Sequence, residues 1–357
     1  MLKRRLGRSS IEVSAMGFGC WAIGGLAWRM NGSTRQPLSW SLVEDKESIR
    51  AINRALDLGV NFFDTADSYG CGHSERILGQ ALEGRREEVI IATKFGGIFD
   101  EKTKEWFGHP HPNGIVTSEF IYKACENSLK RLSTDYIDLY QFHWADYDPD
   151  LATDLLPVLE NLVAEGKIRY YGWSTNNPER AQVFAEGEHC IAIQYHYNLL
   201  QRNETMLSLC EEFNLASIAR APLAMGLLTG KFNRDTQMPE DDVRHNWNFQ
   251  KGILAEELEM LERIREVMTQ DGRTLPQAAL GWLWARGTQI IPIPGFKTVQ
   301  QVEENASAME FGPLSDKQIQ EIDQILGVVQ EPEKFDINSF ITAIQSQSQV
   351  SKNEEDE

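Results

Sequence analysis

The sequence lacks any apolar run long enough to cross a membrane. Its longest runs are strand-length, far short of the roughly 18 residues that a spanning helix needs. It also lacks a Cys-x-x-Cys pair. The five cysteines, Cys20, Cys71, Cys125, Cys190 and Cys210, are scattered and odd in number, which argues for free thiols in a reducing cytoplasm. Positive charge is scarce: 35 Lys and Arg face 53 Asp and Glu, for a formal net charge of −18. Nucleic-acid binding needs a basic face, so that class is set aside. Residues 1–10 are basic but no apolar stretch follows them, so no secretory signal is expected. The shortage of cations has a second consequence. An acidic protein that binds an anionic cofactor must gather cations locally, which singles out Lys94, Arg220, Lys231 and Lys297.

What is present is a regular alternation. Short runs rich in Val, Ile, Phe and Tyr read as strands at 13–19, 60–64, 89–94, 137–143, 168–174, 191–195, 216–220 and 290–294. Helical patterns lie at 44–58, 118–132, 151–165, 178–185, 204–213, 256–268, 276–286 and 303–308. Thr117 and Ser118 open the second of these and Gly166 closes the third. Strands alternating with helices give a parallel barrel or a doubly wound sheet. Eight strands, polar residues clustered just after strand runs, and no break in composition favour a (β/α)8 barrel. Residues 1–13, with Gly7 in the turn, read as a hairpin capping one end. Long inserts at 27–42, 96–117 and 232–252 read as lids or binding loops on the rim. Residues 1–330 are expected to form one barrel domain. Residues 331–357 are an extension whose polar tail, from about Gln345 to the acidic end at Asn353 to Glu357, is expected to be disordered.

In a barrel, the C-terminal ends of the strands converge on one rim, where active sites form. Strand two ends in Asp64, strand three in Lys94 and strand four in His143, with Tyr69 five residues beyond Asp64. One such residue alone is usually a cap or a surface ion pair. Three ionisable groups on successive strands, followed by a phenol, suit carbonyl reduction. Hydride attack builds an alkoxide that needs a proton, and tyrosine, with a pKa of about 10, is a poor acid unaided. A buried Lys94 ammonium is expected to lower that value, with Asp64 keeping the ammonium charged. His143 can hydrogen-bond the carbonyl oxygen. No member is a nucleophile.

The strings DTADSYGCGHSERILG at 64–79, TKFG at 93–96, LYQFHW at 139–144, GWST at 172–175, IQYHYN at 193–198, APLAMGLLTGKF at 221–232 and IPIPGFKTVQQVEENA at 291–306 resemble the aldo-keto reductase superfamily. The likeness is to bacterial members related to potassium-channel β-subunits, and it runs from Leu6 to about Gly312. It implies NADPH-dependent reduction of aldehydes or ketones, with NADH possible, and with Tyr69 as proton donor. It also implies that Ser174 and Gln194 hold the nicotinamide carboxamide. Leu223 to Gly226, with Lys231, would wrap the diphosphate. Lys297 and Thr298 would lie near the ribose 2′-phosphate, and Glu304 and Asn305 at the adenine. Trp21 and Gly295 belong to the same implied cofactor set. Arg220 stands where an aromatic residue commonly stacks on the nicotinamide, Thr175 where Asn is frequent, and Gln301 where an Arg often grips the 2′-phosphate.

Three motifs fit only in form. Gly17-Phe-Gly19-Cys-Trp-Ala22 matches a dinucleotide fingerprint, but no helix pattern follows it. Gly226 to Lys231 is one residue short of a P-loop. His109-Pro-His111 lacks a third ligand, so no metal is expected. Trp21 and Trp144, each next to a strand end, together with Trp28, are read as lining the substrate pocket. Trp40 and Trp106 are read as packing. A cofactor-binding, redox-sensing accessory protein is the competing class. A hydrolase would need paired carboxylates or a metal cluster at strand ends, and neither is visible.

Overall fold

The computed structural model describes residues 2–31, 34–110 and 114–327. Its strands are, in chain order, β1 (Lys3–Arg5), β2 (Glu12–Ser14), β3 (Phe18–Gly19), β4 (Trp28–Asn31), β5 (Thr34–Pro37), β6 (Phe62–Asp64) and β7 (Ile90–Phe95). There follow β8 (Ile98–Asp100), β9 (Glu105–Gly108), β10 (Ile137–Phe142), β11 (Ile168–Ser174), β12 (Cys190–His196), β13 (Ala216–Arg220) and β14 (Ile290–Pro292). Eight of them pair in parallel in the order β14-β13-β12-β11-β10-β7-β6-β3. The Gly17 and Gly19 amides donate to the Pro292 and Pro294 carbonyls, both at 3.0 Å. The first strand therefore meets the last, and helices flank the strands between them. This is the (β/α)8 barrel that the alternation indicates. No helix among the described residues is long and apolar enough to cross a membrane.

The hairpin β1–β2 plugs the N-terminal end. Leu6, Ile11 and Val13 pack on Phe62, Ala92, Leu139, Ile218 and Ile291 inside the strands. Gly7 makes this seat possible. Its φ is +56°, and a Cβ there would lie 2.1 Å from the Ile191 carbonyl oxygen. The reading of 13–19 as one strand is corrected here: residues 12–14 pair back to the hairpin and only Phe18–Gly19 enter the barrel.

Two helices have no counterpart in the sequence reading. His73–Ala81 fills the space between β6 and β7, and Asp316–Leu326 follows a Ser315/Gln318 capping box. The last barrel helix runs Val299–Phe311, starting four residues before the expected position. The inserts at 27–42 and 96–117 are not separate loops. They join as a four-stranded sheet, β5-β4-β9-β8, in which β4 pairs in parallel with β9. Among the described residues of the 232–252 insert there is no helix or strand, and Phe249 packs with Leu227 and Leu254. The extension 331–357 lies outside the described residues.

Candidate active site

Alternation along each strand sends every second side chain inward. Phe62, Ala92, Leu139 and Ala192 lie in the lower interior, so Asp64, Lys94, Gln141 and Gln194, two residues on, point inward near the upper rim. There they form one buried polar cluster. Lys94 Nζ donates to Asp64 Oδ1, to the Thr65 carbonyl at 2.7 Å and to the Tyr69 hydroxyl at 3.2 Å. Asp64 Oδ2 accepts from Gln141 Nε2 at 2.9 Å and Gln194 Nε2 at 2.7 Å. Gln141 was not singled out by its sequence. His143 follows β10 directly, and its backbone amide donates to the Phe95 carbonyl at 2.7 Å. Its ring meets the Tyr69 ring edge-on at 5.9 Å. The four residues expected to meet therefore do meet.

The Tyr69 loop is held from behind. Ser74 Oγ donates to the Cys20 carbonyl at 2.7 Å, and Lys104 Nζ to the Gly70 carbonyl at 3.0 Å. Glu75, wholly buried, accepts from Thr93 Oγ1 and Arg131 Nε, each at 2.6 Å. Arg131 also reaches Glu101 at 3.0 Å, on the turn after β8. The insert sheet is thus tied to the Tyr69 loop.

Electrostatics set the protonation states. Burial opposes the Lys94 charge, but Asp64 and Tyr69 more than offset it and hold the ammonium above the ordinary lysine value. Burial drives His143 well below the ordinary histidine range, with Lys94 adding to the effect. The expectation for Tyr69 is corrected: burial raises its pKa, and the opposing pull of Lys94 is too small to reverse the sign. Tyr69 therefore keeps its proton at neutral pH. Burial also pushes the Cys20 and Cys71 thiols up, Cys71 to about 12, which leaves neither as a reactive thiolate.

Around the rest of the rim lie the residues expected at a dinucleotide. Ser174 ends β11, and its Oγ is buried with no hydrogen-bond partner among the described residues. Asn176 Oδ1 accepts from the His196 amide at 2.9 Å and from Arg220 Nη2 at 3.3 Å. After Leu223, residues Ala224, Met225 and Gly226 are successively left-handed, with φ of 47°, 53° and 100°, and a Cβ on Gly226 would lie 3.2 Å from Lys231 Nζ. Arg244, which the sequence did not mark, grips Asp242 through Nε and Nη2, each at 2.8 Å, and donates Nη1 to the Met225 carbonyl at 3.0 Å. Burial lowers the pKa of both Lys231 and Lys297, and Arg244 lowers each further. Three cations thus share one corner. Thr298 caps the helix Val299–Phe311, which carries Glu304 and the buried Asn305. Gln301 Oε1 accepts from the Lys297 amide at 2.7 Å. Gly295 bridges to Gly19.

The aromatic residues divide. Trp21 stacks on Tyr69 at 6.1 Å and meets Trp40 at 5.1 Å. Trp40 in turn carries Arg244 over its ring at 4.1 Å, so its packing links Trp21, beside Tyr69, to the Arg244 corner. Trp144 lies flat on His109 at 4.5 Å, and Trp106 meets the same imidazole edge-on at 5.5 Å. Trp28 sits on β4 beneath Arg35 at 4.6 Å, and among the described residues its ring pairs with neither Tyr69 nor His143. His111 lies outside the described residues. Elsewhere Glu160, Glu188 and His189 approach one another, but the Glu160 carboxylate already accepts from Tyr171 and twice from His189.

Residues 15–327 match the model of the aldo/keto reductase family. The NADH-specific methylglyoxal reductase of Escherichia coli K12 is 32% identical over 324 residues, covering 88% of this chain and 95% of that one. The structure of a glycerol dehydrogenase from Gluconobacter oxydans superposes with a TM-score of 0.76 at 31% identity, covering 94% of this chain and 99% of its own. An aldo/keto reductase from Klebsiella pneumoniae, solved with NADP and acetate, gives 0.67 at 27% identity, with 94% and 98% covered. The chain belongs to the aldo/keto reductase family and is an oxidoreductase of that class.

Proposed function

We propose that this protein reduces aldehydes and ketones of broad range to alcohols in a reducing cytoplasm, with NADPH as the preferred donor and NADH usable. The observation that carries this reading is the buried ammonium of Lys94, which joins Asp64 to the Tyr69 hydroxyl. The residues present fit a nicotinamide dinucleotide. Ser174 offers an unpartnered buried hydroxyl at a strand end. The left-handed backbone at 224–226 and the Lys231, Arg244 and Lys297 corner suit a polyanion. That group, when bound, supplies the hydride.

The chain's own residues do the rest. His143, kept neutral by burial, can donate a hydrogen bond to the carbonyl oxygen. Tyr69 holds its proton until an alkoxide forms beside it, then passes it from Oη to that oxygen. The Lys94 ammonium stabilises the phenolate left behind, and Asp64, braced by Gln141 and Gln194, keeps the ammonium in place. Trp21 and Trp144 give the carbonyl an apolar wall.

The test is NADPH oxidation, followed by absorbance, against a panel of aldehydes and ketones, with NADH in parallel. Carbonyl-dependent consumption is expected. Tight NADPH binding without turnover on any carbonyl would favour the accessory-protein reading instead.

A further inference from the structure

We propose that His109 makes this site select carbonyl compounds bearing a hydroxyl next to the reacting carbonyl, by accepting that hydroxyl's hydrogen bond at Nε2. This inference rests on the reductase reading above and names the substrate class of that same site.

His109 directly follows β9 in the insert after β7, and it is anchored on the carbonyl next to the one that holds the His143 amide. Two consecutive carbonyls at the end of β7 hold the two histidines: Phe95 accepts from the His143 amide at 2.7 Å, and Gly96 accepts from His109 Nδ1 at 2.6 Å. The space between Gly96 and the His143 backbone is small, since a Cβ on Gly96 would lie 3.5 Å from the His143 carbonyl carbon.

The bond to Gly96 decides the tautomer. A carbonyl oxygen can only accept, so Nδ1 carries the hydrogen. Burial keeps the ring below the ordinary histidine pKa. A neutral ring protonated at Nδ1 leaves Nε2 as a lone-pair acceptor. No partner for that atom exists among the described residues. The ring cannot turn to find one without losing the Gly96 bond and its flat stack on Trp144, whose planes lie 5° apart. A fixed acceptor set between Trp144 and Trp106, on the carbonyl next to the one that holds His143, recognises a donor. A hydroxyl on the carbon adjacent to the carbonyl supplies one, whereas an alkyl group of the same size leaves Nε2 unsatisfied.

Hydroxyacetone and 2-butanone test this, since they differ by a hydroxyl in place of a methyl. The readout is the ratio of their kcat/KM values in the wild type, His109→Phe and His109→Gln, with thermal melts confirming folding. His109→Phe keeps a flat ring on Trp144 and removes the acceptor, so it sets the intrinsic ratio of the two ketones. The wild-type ratio is expected to exceed it by about tenfold, mostly in KM. His109→Gln, which retains an amide acceptor, should restore part of the difference. Equal ratios in the wild type and His109→Phe would overturn the proposal, as would a ratio lost in Gln and kept in Phe. Reduction of neither ketone or any other carbonyl by the wild type would overturn the reductase reading itself, which separates the two failures.

Discussion

The lower and upper halves of the barrel interior are built by the same strands, yet they hold opposite chemistry. On β6, β7 and β10, Phe62, Ala92 and Leu139 face the hairpin plug. One pleat higher, Asp64, Lys94 and Gln141 form a buried, fully bonded polar cluster. The lower layer does what apolar burial does, and it stabilises the fold. The upper layer works against the fold. Removing an ammonium and a carboxylate from water costs several kcal/mol each, and well-packed apolar residues could replace them at no loss of stability. Under the proposed function, that cost serves the chemistry of Tyr69.

Substitutions at the two levels should therefore separate activity from stability. The largest effect belongs above. Lys94→Met should lower turnover by about 10²- to 10⁴-fold in steady-state kinetics. The double replacement Asp64→Leu with Lys94→Met should be equally inactive, yet its melting temperature should fall less than that of Lys94→Met alone, which leaves the Asp64 carboxylate buried without its ammonium. Below, Leu139→Ala should cost about 2–5 kcal/mol in denaturant unfolding, with kcat/KM of the folded fraction kept. Loss of catalysis without loss of stability in Leu139→Ala would break the division. A smaller effect sharpens it: Lys231→Ala should weaken NADPH binding, read by fluorescence quenching, by about tenfold or more, leaving kcat nearly unchanged at saturation. The smallest is in pH. His143 is lowered and Tyr69 raised, so on acidification His143 protonates only well below its ordinary value. On alkalinisation Tyr69 loses its proton only above about 10. Reduction should be flat between those limits, and a fall centred near neutrality would contradict the assignments.

The barrel was legible because its strands are local signals. Runs such as those ending in Asp64 and His143 announce both a strand and its rim residue. The sheet β5-β4-β9-β8 was not. Its strands are only three or four residues long, too short for a period to show, and the β4–β9 pairing joins Trp28 to Glu105, 77 positions on. The helix His73–Ala81 was hidden inside a string read for its chemistry, although its buried Glu75 braces Lys94's strand through Thr93. Arg244 gave no local sign and His109 was weighed only as half of a metal motif, since each matters through partners reached only in the fold: Trp40 and Met225 for one, Gly96 and Trp144 for the other. The sign of the Tyr69 shift was missed for the same reason. Sequence shows the lysine, but only the fold shows how deeply the phenol is buried.

The most direct test of the upper layer is Tyr69→Phe, which removes one oxygen and leaves the ring against Trp21 and Lys94. Carbonyl reduction should fall by about 10²- to 10⁴-fold, while NADPH still quenches fluorescence at wild-type concentrations. A Tyr69→Phe protein that turns over like the wild type would contradict the account.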